Sequence, residues 1–146
     1  MNKSDVKYLI VHCSYTPESM DIGKSDIDRW HREKGWMMIG YHKVIKRDGT
    51  VEDGRPLSKS GAHVRGMNRT SIGICLIGGM NRAKDGPEIN YTDEQMKSLR
   101  SLLDGLRKDY PIAKVRGHTD FDKGKTCPNF DAGKWYEDDE IVSTIS

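Results

Sequence analysis

Apolar residues gather in short dense runs, separated by polar and glycine-rich stretches. The first run, Val6 to His12, reads Val-Lys-Tyr-Leu-Ile-Val-His and is nearly continuous. That pattern predicts a strand buried on both faces. Ser71 to Ile77 is the most strand-like segment and predicts the centre of a sheet. Ile112 to Arg116 predicts a further short strand. From Gly40 to Glu52, two β runs flank Arg47-Asp48-Gly49-Thr50, and Asp-Gly in that place predicts a hairpin. Helical spacing takes over after the capping-box sequence Thr92-Asp93-Glu94-Gln95. There Met96, Leu99, Leu102, Leu103 and Leu106 make one apolar face, and Pro111 blocks continuation. A shorter helix is predicted over 26–34. Ser25 would be its N-cap, Asp26 and Asp28 would sit in its first turn, and Gly35 would stop it. Asp131 to Tyr136 predicts a third, short helix. The tail from Glu137 is acidic, then rich in Ser and Thr, and is expected to fray.

The chain has 146 residues, which suits one α/β domain over 1–146 with one sheet and two or three helices. Charged residues make up 32% and the net charge is +2, so no basic excess supports a nucleic-acid footprint. Three widely spaced cysteines argue against a disulfide framework and for a reducing compartment. The N-terminus lacks the apolar core and cleavage site of a signal peptide, and no run reaches the length of a membrane span. Synthesis in the cytosol, without membrane insertion, is the expectation. A substrate outside the membrane would require another route across.

Candidate chemistry concentrates in Arg-Gly-His-Thr-Asp-Phe-Asp-Lys-Gly-Lys-Thr-Cys-Pro, residues 116–128. His118 and Cys127 are potential metal ligands there, and Lys125 is a cation beside them. Two ligands do not make a zinc site. The best third is His12, at the C-terminal tip of the first strand, where ligand sites of open α/β sheets lie. Parallel strands ending at His12 and His118 would project both imidazoles at one edge. Cys13 should point the opposite way and pack. Two imidazoles and one thiolate leave a tetrahedral position open, as catalytic zinc sites do. His31 is assigned to structure or solvent. Tyr41 is either a strand-edge aromatic or functional. His63 and Asn68, on the long loop 54–69, either hydrogen-bond a polar ligand or are incidental to a glycine-rich surface. Residues 80–91 form a polar loop without a phosphate-binding pattern.

The pieces recur in a recognisable order: Val11-His12-Cys13-Ser14, Trp30-His31 with Gly35-Trp36, Gly40-Tyr41-His42, Ile45 to Val51, Gly61-Ala62-His63, Asn68 with Ser71-Ile72-Gly73, Gln95-Met96, His118, and Lys125-Thr126-Cys127-Pro128. Over nearly its whole length the chain resembles the phage-type zinc N-acetylmuramoyl-L-alanine amidases, the family of the peptidoglycan recognition proteins. The likeness is greatest to the amidases, historically called lysozymes, of the T-odd coliphages. The resemblance implies a central mixed β-sheet flanked by helices, with one Zn²⁺ in a groove at strand ends. It implies His12, His118 and Cys127 as ligands and catalytic roles for Tyr41 and Lys125. His63, Asn68 and Trp36 are candidates for substrate contact. The implied partners are bacterial peptidoglycan and the phage RNA polymerase, with the chain acting as a monomer in host cell lysis. A peptidoglycan-binding module without catalysis is the alternative, disfavoured by the presence of Cys127.

Overall fold

A computed structural model describes residues 1–145. Its main sheet has five strands, which we number with the rest in chain order: β1 (Tyr8–Cys13), β3 (Lys43–Ile45), β4 (Val51–Asp53), β5 (Ser71–Leu76) and β7 (Lys114–Gly117). The spatial order is β4-β3-β5-β1-β7. β5 therefore lies in the middle, as its unbroken apolar run predicts. β1 is parallel to both β5 and β7, and only the hairpin strand β4 is antiparallel. The sheet is thus mixed.

The two faces of the sheet are unequal. Leu9 and Val11 of β1, with Ile72, Ile74 and Leu76 of β5, enter the larger core. Helix α2 (Asp93–Asp109) covers it with Leu99, Leu103 and Leu106, and α3 (Ala132–Asp138) adds Trp135. Alternation along a strand sends the intervening residues to the other face. There α1 (Lys24–Glu33) packs Ile27 with Ile39, Val44, Cys75 and Ile77. His12, Gly73 and Ser71 lie on this thinner side. α2 begins as its capping box requires, with Gln95 N–H donating to Thr92 Oγ1 at 3.1 Å and Thr92 N–H to Gln95 Oε1 at 2.9 Å.

Three expectations shift. The first helix begins two residues earlier than its Asp-rich turn suggests, with Gly23 as N-cap instead of Ser25. Its free N–H groups are met partly from outside, since Lys24 N–H donates to Glu52 Oε1 of β4 at 2.9 Å. Gly35, at φ +94°, still ends it. The loop after β5 carries a strand, β6 (Gly79–Met80), which pairs with β2 (Thr16–Pro17) in a small second sheet. The C-terminal tail folds back: Asp131 N–H donates to Val142 O at 2.8 Å and Thr144 N–H to Asn129 O at 3.0 Å. The long loop 54–70 has no regular structure. The Arg55 guanidinium anchors it through the carbonyls of Ile39 and Ser60.

Candidate metal centre

β1 pairs with β7 up to Val11 opposite Gly117. One residue further, His12 and His118 stand side by side at the ends of two parallel strands. His118 opens a short 3-10 turn, His118–Asp120. Their Nδ1 atoms are 3.2 Å apart. Cys127 reaches the same point from the loop that follows. Nδ1 or Nε2 of each histidine and the Cys127 sulfur all lie within 4.8 Å of one another.

The turn that carries Cys127 is tied from several directions. Thr119 N–H donates to Cys127 O at 2.9 Å, and Asn129 Nδ2 donates to Gly79 O at 2.8 Å. Tyr91 Oη donates to Pro128 O at 2.7 Å, and Thr144 Oγ1 to Thr126 O at 2.5 Å. Cys13 is not in the donor cluster. Its backbone N–H instead points at the Cys127 sulfur, 2.9 Å away.

A cleft of about 510 Å³ opens over the cluster, lined in part by Tyr41, His118, Lys125, Cys127 and Lys34. Tyr41 and Lys125 therefore face the same space as two of the donors. The Tyr41 ring packs on His12, with centroids 5.0 Å apart. Burial pushes the Tyr41 phenol well above its usual range, so at neutral pH it keeps its proton.

The donor set fits a zinc ion. Tetrahedral zinc with Zn–N of about 2.0–2.1 Å sets two nitrogens roughly 3.3 Å apart, against the 3.2 Å found here. Burial, and then the neighbouring His63 and His118, hold His12 well below the usual imidazole range, so it is neutral and has a lone pair to offer. Burial also lowers His118. Burial raises the Cys127 thiol, so a thiolate at that place requires a cation beside it. Two neutral imidazoles and one such sulfur suit a borderline-soft divalent metal.

The remaining candidates lie around this centre. Asn68 uses its side-chain oxygen within its own loop, accepting from the N–H groups of His63 and Val64, each at 2.9 Å. Trp36 is 38% exposed and packs at a tilt against His31, with Lys34 above its ring. His31 is structural: its Nδ1 accepts from Gly40 N–H at 2.9 Å. His63 is turned inward. Its Nδ1 is 2.8 Å from His12 Nε2, and its Nε2 is 3.3 Å from Ser71 Oγ. Ser71 was not a candidate in the sequence. The available signal was Gly73, a glycine inside an otherwise apolar strand, which marks close approach by another group.

Known proteins resemble this chain in sequence and fold. Residues 2–130 match the N-acetylmuramoyl-L-alanine amidase family profile. The endolysin of Klebsiella phage KP32 is 46% identical over 142 residues, spanning 97% of this chain and 93% of that one. The endolysin of Escherichia phage T7 is 46% identical over 136 residues, spanning 93% and 89%. Among solved structures, the amidase LysC from Clostridium intestinale URNW superposes with a TM-score of 0.74 at 31% identity, covering 86% of this chain and 78% of its own. The family match and these relatives mark the chain as a hydrolytic enzyme. The chain belongs to the N-acetylmuramoyl-L-alanine amidase family.

Proposed function

We propose that the chain is a zinc-dependent phage endolysin that cleaves the amide between N-acetylmuramic acid and L-alanine in bacterial peptidoglycan. The observation that carries it is the convergence of His12, His118 and Cys127, the last two lining a cleft that Tyr41 and Lys125 also line. Zinc, when bound, supplies Lewis acidity at neutral pH. The chain's own groups do the rest. The Lys125 ammonium stabilises negative charge that builds on the carbonyl oxygen as the amide is attacked. Tyr41, a protonated phenol against His12, is a hydrogen-bond donor to the reacting oxygen or to the leaving amine. Lys34 borders the cleft, and the half-exposed Trp36 lies beside Lys34.

The pattern of products tests it. Mass spectrometry of digested peptidoglycan should show free L-alanine amino termini and intact lactyl groups on the sugar. New reducing ends, or cuts within the stem peptide, would contradict it. The phage RNA polymerase remains a proposed partner that maps to no particular residue, and a pull-down with purified polymerase decides it. Among the described residues no helix is long and apolar enough to cross a membrane.

A further inference from the structure

His63 and Ser71 form a chain of hydrogen bonds under His12, and its direction can be worked out. Ser71 Oγ is 2.7 Å from Met67 O. A carbonyl oxygen only accepts, so the Ser71 hydroxyl donates there. The Ser71 oxygen is then an acceptor toward His63 Nε2, 3.3 Å away, and that nitrogen carries the proton. A neutral His63 consequently presents a bare Nδ1. His12 Nε2, 2.8 Å from it, must be the donor. The proton of His12 is thereby placed on Nε2, and its Nδ1 lone pair points at His118 and Cys127.

The seat for His63 is built into the sheet. Gly73 of β5 lies under its ring, and a Cβ at Gly73 would stand 2.7 Å from it. Ser71 is fully buried, two residues earlier on the same face of β5. His118 lacks such a device. Its Nε2 is 4.0 Å from Asp122 Oδ2, beyond hydrogen-bond distance, and that carboxylate is half exposed.

We propose that His63 and Ser71 are positioning residues, which fix the tautomer and ring orientation of His12 so that its Nδ1 is presented to a divalent cation before the cation arrives. This rests on His12 being a metal ligand, as under the proposed function. Metal-ligating histidines commonly give their second N–H to an acceptor, and losing such a partner weakens metal binding about 10–100-fold. Here the acceptor is another histidine, itself set by a serine.

The test uses the full-length chain in metal-free and zinc-loaded form. Long-range proton–nitrogen NMR spectra of the imidazoles read which ring nitrogen is protonated. In the metal-free chain His12 and His63 should both carry the proton on Nε2. Zinc dissociation constants, measured by competition with a chromophoric chelator, should rise about 10–100-fold in His63→Leu. Ser71→Ala should show a smaller rise and mixed tautomers at His63. His63→Asn, whose amide oxygen can stand near the Nδ1 position, should recover most of the affinity. Melting curves show which variants are folded, and Ser71→Ala and His63→Asn keep the test open if His63→Leu is not. A proton on His12 Nδ1 in the metal-free chain would overturn the proposal, and so would wild-type zinc affinity in folded Ser71→Ala and His63→Leu together. A wild-type chain that takes up no zinc would instead sink the metal reading, while the proton positions, read without metal, still decide the hydrogen-bond chain.

Discussion

His12 and Cys127 meet at one point but are held there in different ways. His12 sits on a central strand, is 1% exposed, and has both neighbouring strands in register with it or ending beside it. Cys127 sits on an irregular turn after a 3-10 segment, and what fixes it is a set of hydrogen bonds from Tyr91, Asn129, Thr119 and the returning tail. The sheet half is preformed by burial, the strongest driving term in folding. The loop half is held by bonds each contributing about 1 kcal/mol net. Metal binding should therefore order the loop half more than the sheet half, because binding free energy is spent where the site is least formed.

Removing a donor has the largest expected effect. His12→Ala, His118→Ala and Cys127→Ala should each abolish zinc binding and turnover, measured as metal content and amine release from peptidoglycan. The comparison is sharpened in the metal-free state: His12→Ala should melt lower than Cys127→Ala, because it also strips the buried His63 of its donor. Equal melting temperatures would break the distinction. Next, Lys125→Ala should keep the zinc and lose about 10²–10³ in kcat, the usual size of one lost oxyanion donor. Tyr41→Phe should likewise keep the metal and lose turnover.

Smaller effects separate the two halves without touching a donor. Leu103→Ala, fully buried behind the sheet, should cost about 2–5 kcal/mol in denaturant unfolding. It should leave the zinc dissociation constant unchanged, since the strand ends keep their register. Thr144→Ala removes one bond to the Cys127 turn, and the cost, about 1 kcal/mol, should fall on the local order of that turn. Its signature is the opposite one, a several-fold weaker zinc affinity with little change in global unfolding. If Leu103→Ala weakens zinc as much as Thr144→Ala does, the two halves are not independent.

The same division governs what the chain discloses before folding. β1, β5 and α2 are readable because each one's periodicity and capping residues agree with its final burial. The place of each histidine at the end of its run is readable. The parallel pairing of β1 with β7 that brings His12 beside His118 is a condition the runs alone do not fix and the structure meets. The N-cap at Gly23 is hidden because Glu52, a strand residue 28 positions beyond Lys24, meets the first helix amide. The β2–β6 sheet is two residues long on each side, too short for any period. The ordered tail is held by backbone bonds to 129 and 131, which composition does not encode. His63 and Ser71 were missed as a pair because their meaning lies in a third residue, Gly73, whose missing side chain makes room for the imidazole.

X-ray absorption at the zinc edge of the loaded full-length chain tests the central claim most directly. The account predicts one zinc per chain with two nitrogen scatterers at about 2.0–2.1 Å, one sulfur at about 2.3 Å and one further light atom. A shell of light atoms only, with no sulfur, or a chain that retains no zinc, would contradict it.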